Sequence, residues 1–108
     1  MEGLELISFQ IISSVGMARS SFIEAIKEAK LGNIEEAKNK IKEGEDYFTK
    51  GHGFHAELIQ KEASGDSVQL NLLLMHAEDQ LMSAESIKIV ALEFIDTFER
   101  LNALEKKL

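Results

Sequence analysis

Apolar residues recur along this 108-residue chain at steps of three and four, the spacing that lays a continuous stripe on one face of an α-helix. Leu4, Ile7, Ile11, Ala18, Phe22, Ala25 and Ala29 form the first stripe and predict a helix over about residues 4–30. The stripe stops at Leu31-Gly32. Asn33, three residues ahead of Glu36, reads as a capping-box variant, and Ile34, Ala37, Ile41, Phe48, Leu58 and Ile59 carry the period to about residue 63. Ser64-Gly65-Asp66 makes the second turn. Asp66, or Ser67 one step on, is placed to cap a third helix, with Gln69 able to reach back to the Asp66 amide, and the apolar pattern then persists to about Leu104. Proline is absent and no segment alternates with the period of a strand. The reading is all-α: helices over about 4–30, 33–63 and 66–106, folded as an antiparallel three-helix bundle with short loops.

Two features complicate that pattern. The second helix contains Gly44, Gly51 and Gly53, each costing about 1 kcal/mol against alanine in a helix interior. Gly44 and Gly51 lie a heptad apart on the seam with Ile41, Phe48 and Leu58, so either a close backbone approach or a kink at Gly51-His52-Gly53 accounts for them. The third helix carries two apolar stripes. Leu70, Leu74, Ala77, Leu81, Ala84, Ala91, Ile95 and Phe98 form one, which closes the core. Leu72, Met75, Met82 and Ile89 form another, which on a lone protomer would face water. A contiguous exposed apolar face marks an interface and implies a homo-oligomer whose axis is lined by the third helix. Asp79 falls inside this second stripe. An acid repeated around a symmetry axis repels its copies unless something neutralises it, so a shared divalent cation is expected there.

Composition narrows the class. The chain is 44% hydrophobic and 29% charged, without low-complexity tracts, and residues 1–108 read as a single globular domain. With no cysteine there is no disulfide, thiolate metal site or cysteine nucleophile. A net charge of -7 opposes nucleic acid and anionic lipid and favours partners with basic surfaces. No wholly apolar run, Leu72 to Met75 included, exceeds four residues, and Glu2 and Glu5 argue against a signal peptide, so a cytoplasmic location is expected.

The candidate chemistry lies on the third helix, in LLLMHAEDQLMSAESIK (residues 72–88). His76 shares a face with Asp79, Gln80 and Ser83, which follow it at three, four and seven positions. Imidazole is a nucleophile near neutral pH, able to hold a phosphoryl group as an energetic P–N bond when neighbours fix its geometry. From the residues alone a structural histidine is the favoured reading over a reactive one. HxxxH and HExxH, the strong zinc patterns, are both absent, and His52 and His55 read as structural or surface residues.

The segment HAEDQLMSA, with ELIQKEASGD upstream, resembles enzyme IIA of the lactose/cellobiose class of the bacterial sugar phosphotransferase system. The resemblance extends to SFQII, to the Ala18-Arg19 pair, to the turn near residue 32 and to the stretch from Glu57 to Ala63. It implies a three-helix protomer assembled as a nine-helix homotrimer, with phosphorylation sites in grooves between protomers. His76 matches the family's phosphorylated histidine, which takes phosphate from HPr and passes it to a cysteine of the cognate IIB component. Asp79 matches the aspartate at the trimer axis, whose shared divalent cation is assigned as magnesium. Two positions depart from the pattern: Gln80 stands where a second histidine is usual, and Glu78 where glutamine is usual. Gln80, Ser83 and Glu78 are therefore the expected neighbours of the phosphoryl site, although Glu78 is turned about 200° from His76 around the helix.

The resulting expectation is a phosphotransferase component: phospho-HPr to His76, then IIB, then a β-linked disaccharide of the cellobiose, lactose or chitobiose class imported through the membrane component IIC. Contact with IIC would be indirect. Two other readings compete with it. One is a metal-stabilised helical scaffold or adaptor in which His76 is purely structural, and the other is a metal-dependent hydrolase, for which one histidine and one carboxylate make a thin ligand set.

Overall fold

The structure, a computed structural model, describes residues 3–108; Glu2, one of the acids weighed against a signal peptide, lies outside them. Three helices run α1 (Gly3–Lys30), α2 (Ile34–Ala63) and α3 (Leu72–Glu105), in a rod of 62 × 22 × 20 Å. The expected all-α class is what forms, and no strand occurs among the described residues. Both turns are built the same way. Gly32 and Gly65 adopt φ of 90° and 98°, a left-handed conformation that glycine accepts without steric cost. Past Gly32 the Asn33 amide donates back to Glu28 at 2.9 Å, and past Gly65 the Asp66 amide donates to Lys61 at 3.1 Å, the closure that satisfies the last carbonyls of a helix. Asn33 does not cap through its side chain as expected; that amide instead donates to Glu28 Oε2 at 2.9 Å, drawn off by the carboxylate at the end of α1.

The third helix starts at Leu72, six residues later than expected, and the physical reason is its cap. Asn71 has extended backbone, and its side chain accepts a hydrogen bond from the Leu74 amide at 2.8 Å. That bond satisfies an orphan donor of the first turn, so neither Asp66 nor Ser67 caps, and Gln69 has no helix to reach back along. Leu70 therefore lies in the loop and is 74% exposed instead of closing the core. Ile59 is also exposed, since it is turned about 100° from its buried neighbour Leu58.

The core is a narrow seam in which alanines are interleaved with Ile41, Leu58, Leu74, Leu81 and Ile95. Ala18, Ala25, Ala29, Ala37, Ala77, Ala84 and Ala91 are fully buried, and between them sit Phe22, Ile11 and Val15. Gly44 and Gly51 belong to this seam. A Cβ on Gly44 would meet the Phe22 ring at 2.4 Å, and one on Gly51 would meet Val15 Cγ1 at 2.6 Å. The close approach is therefore the reason for both glycines, and α2 runs unbroken through Gly51-His52-Gly53. α1 packs along both other helices, while α2 and α3 share a shorter seam. Asn102 near the end of α3 donates to Ala29 O near the end of α1 at 3.3 Å, which fixes those two helices parallel and α2 antiparallel to them.

Polar links hold the helices in register. Lys40 reaches Glu24 across the α1–α2 seam at 3.1 Å and Glu43 on its own helix at 3.5 Å. The hydrogen bond to Glu24, then the charges of Glu24 and Glu43, raise the Lys40 pKa above the ordinary lysine value. Lys88 on α3 meets Glu45 on α2 at 3.4 Å. By length and composition α1 would also suit a membrane span, yet Ile11, Val15, Ala18, Phe22, Ala25 and Ala29 of that helix are buried in the bundle core.

Candidate functional site

The late start of α3 decides where His76 sits. It lies in the second turn of the helix, exposed, instead of well inside a longer helix. Helical side chains lean toward the N-terminus of their own helix, so the imidazole covers the turn formed by Leu72 and Leu73. Together these three residues line an open, largely apolar hollow of ≈ 530 Å³. Gln80 and Ser83 follow on the same flank of α3, both half-buried. Neither makes a side-chain hydrogen bond among the described residues, so the amide and hydroxyl have no partner within the chain there.

Glu78 takes the opposite flank. Its Oε1 lies 2.6 Å from His55 Nε2, a contact that ties α3 to α2. When the imidazole is protonated this is an ion pair, with the His55 side chain 19% and the Glu78 side chain 41% exposed. Of the residues expected around His76, the structure thus gathers Gln80 and Ser83 and turns Glu78 away within the chain. His55, read from the sequence as a structural or surface residue, is structural, but its partner was not foreseen. Its partner lies 23 positions away, and the only available signal was that Glu78 sits on the α2-facing side of a helix whose core positions are otherwise apolar. His52 does not join it; it is exposed and tilted against the Phe48 ring at a centroid distance of 6.3 Å.

The second stripe of α3 is laid out in full on the surface. Leu72, Met75, Met82 and Ile89 are between 58% and 82% exposed, and Asp79 is exposed among them. Toward the C-terminus the same face continues into a hollow of ≈ 210 Å³ lined by Ile89, Val90, Glu93, Phe94 and Thr97. Among the described residues no group of three His, Cys, Asp or Glu side chains stands together closely enough to hold a metal ion. One chain thus brings only separated carboxylates to this face, Asp79 and, about four turns further on, Glu93.

The fold and these residues match a known family. The family model for the lactose/cellobiose-specific IIA subunit of the PTS (the sugar phosphotransferase system) matches residues 6–99. The chain is 43% identical over 100 residues to the lichenan-specific phosphotransferase enzyme IIA component of Bacillus subtilis, covering 93% of this chain and 91% of that protein. It is 42% identical to the oligo-beta-mannoside-specific EIIA component of the same organism over 98 residues, 91% of this chain and 89% of the relative. The crystal structure of the PTS cellobiose-specific enzyme IIA from Bacillus anthracis superposes with a TM-score of 0.93 at 41% identity, covering 95% of this chain and 94% of that one. The resemblance carried by the segment around His76 therefore holds over nearly the whole chain, in sequence and in fold: this protein belongs to the lactose/cellobiose-specific IIA family of the sugar phosphotransferase system.

Proposed function

We propose that this chain is a phosphohistidine relay in the cytoplasm: His76 accepts a phosphoryl group from phospho-HPr and passes it to a cysteine of the cognate IIB component. In each transfer a bond from phosphorus to the donor breaks as the bond to the acceptor forms. The observation that carries the reading is the exposed imidazole at the rim of an apolar hollow, flanked by the uncommitted Gln80 and Ser83. Placement does most of the work in such a transfer, because two protein surfaces bring donor and acceptor into line. An apolar rim on a protein of net charge -7 suits brief docking to basic partners, since electrostatic matching raises encounter rates more than final affinity. Gln80 and Ser83 can donate to phosphoryl oxygens without titrating in the neutral range.

The sugar is a β-linked disaccharide or oligosaccharide of the cellobiose type. Relatives of nearly equal identity are named for lichenan and for oligo-beta-mannosides, which supports the linkage class above any one sugar. IIC enters only through IIB.

The assembly is a homotrimer closed through the exposed stripe of α3, with Asp79 at its axis. A cation cannot be held by one chain, but carboxylates from several copies give the oxygen donors that magnesium prefers. Bound there, it would neutralise their mutual repulsion; the transfer itself is assigned to His76.

Intact mass after incubation with phosphoenolpyruvate, enzyme I and HPr tests the relay. One acid-labile phosphoryl adduct on the wild type and none on His76→Ala is expected. No adduct on either, with both donor proteins active, would sink the relay and leave the helical scaffold.

A further inference from the structure

The His55–Glu78 pair has no role in the transfer as described, because within one chain it stands on the far flank of α3 from His76. Helical geometry gives it a different neighbour. At about 100° per residue, Met75, Asp79 and Met82 point in nearly one direction, with His76 turned roughly 60–100° to one side of it and Glu78 by a similar angle to the other. Cyclic symmetry keeps the α3 helices parallel and sets one flank of each against the opposite flank of the next. The His76 flank of one copy then meets the His55–Glu78 flank of its neighbour. The heights agree as well, since two residues of helix rise amount to about 3 Å.

The chemistry of the flank asks for such a neighbour. Residues 72–87 of α3 include no lysine or arginine, so the helix that carries His76 brings the arriving phosphoryl group only neutral donors over its first four turns. A carboxylate alone at the facing position would repel it. A carboxylate already bound by an imidazole does not act alone: protonated imidazole has a donor on each ring nitrogen, one for Glu78 and one left over. His55 Nε2 is taken by Glu78, and Nδ1 makes no hydrogen bond among the described residues.

We propose that the phosphoryl site is composite: His55 of the partner subunit, anchored by Glu78 of the partner subunit, donates a hydrogen bond to the phosphoryl oxygens on His76. The proposal rests on the relay and trimer readings above. His55 forms no covalent bond in it; it is a positioning residue that orients and partly neutralises the group while the P–N bond at His76 forms and breaks.

Mixed trimers test this directly. His55→Ala should keep its helicity and its trimer in sedimentation, and should slow phosphorylation of His76 by phospho-HPr roughly tenfold or more, the usual weight of a hydrogen bond to a charged group. The loss should fall on the maximal rate and leave the KM for HPr unchanged, and His55→Gln, which keeps a donor, should recover most of it. Trimers co-assembled from His55→Ala and His76→Ala copies, isolated through a tag on one of them, contain His76 beside an intact partner His55. In a random equimolar mixture about half of the His76 sites should phosphorylate in a fast phase, rising to about two thirds when the tag is on the His76→Ala copy and trimers made only of His55→Ala are lost. Wild-type rates in His55→Ala, a mixture with no fast phase, or wild-type protein that forms no trimer would each overturn the composite site. Absence of any adduct on wild type would overturn the relay itself, which separates the two failures.

Discussion

Replacing Gly44 with alanine should destabilise the protein even though alanine is the better helix former. In an open helix interior the change gains about 1 kcal/mol. At this position the new Cβ would lie 2.4, 2.7 and 3.0 Å from Cε1, Cδ1 and Cζ of Phe22, against ordinary contacts of about 3.5–4.0 Å. The ring would have to move by about 1 Å or more to restore such contacts. Phe22 is fully buried in a cluster with Ala18, Ala25, Ala37 and Ile41, so it has no free volume to enter. Overpacking of this kind costs about 1–3 kcal/mol, and a confined ring with three close carbons belongs at the upper end. The net loss is about 2 kcal/mol. Gly53→Ala is the control: nothing lies within 4 Å of its Cβ, so the helix gain of about 1 kcal/mol should appear undiminished. For a chain of this size 1 kcal/mol moves Tm by roughly 4 °C, giving a fall of about 8 °C for Gly44→Ala and a rise of about 4 °C for Gly53→Ala. Thermal unfolding followed by circular dichroism, at equal protein and metal concentration because association shifts apparent stability, reads both. A Gly44→Ala protein at or above wild-type Tm would refute the packing argument. So would a Phe22→Leu/Gly44→Ala double variant whose losses simply add, since removing ring atoms should relieve the clash.

Asn71→Ala should cost about 1 kcal/mol by leaving the Leu74 amide without its cap, and hydrogen exchange should speed selectively at the start of α3; unchanged protection there would place the helix start elsewhere. Asp79→Leu extends the exposed α3 stripe and removes the charge, so sedimentation velocity in chelator should find it assembled at least as firmly as wild type. Dissociation of that variant would count against Asp79 at the axis.

What could be read from the chain and what could not divide along the range of the interactions. Stripes such as Ile11, Ala18, Phe22, Ala25 and Ala29 are local and repeat at helical spacing, so the helices and the buried face of α1 were legible. The exposed second stripe of α3 was legible for the same reason. The start of α3 was not, because Asp66, Ser67 and Asn71 are all competent caps and only the docking of the loop selects Asn71. Leu70 went with it, being apolar and in phase but outside the helix. Gly44 and Gly51 were legible as a question and answered only by Phe22 and Val15, partners on another helix. His76, Gln80 and Ser83 fell on one flank by spacing alone. His55 did not, since its tie to Glu78 joins two helices whose relative rotation no local pattern encodes.

That rotation is also where fold and function meet. Four directions around α3 carry four different duties: Ala77, Ala84 and Ala91 face the core, Met75, Asp79 and Met82 face away from it, His76 takes one flank and Glu78 the other. Sliding the helical register by one residue would turn each side chain by about 100° and carry the imidazole from its apolar hollow toward the α1 seam. Such a turn would also expose Leu74, Leu81 and Ile95, which are buried on the core face beside the alanines. Further restraint comes from polar contacts across the seams: His55 to Glu78 and Glu45 to Lys88 from α2, and Asn102 to the end of α1. Individually such partly exposed links add little to stability. Their effect is directional, since each is satisfied at one rotation of α3 and lost at its neighbours, and so polar contacts that contribute little to folding act with the buried leucines and isoleucine of α3 to set the face on which His76 is presented.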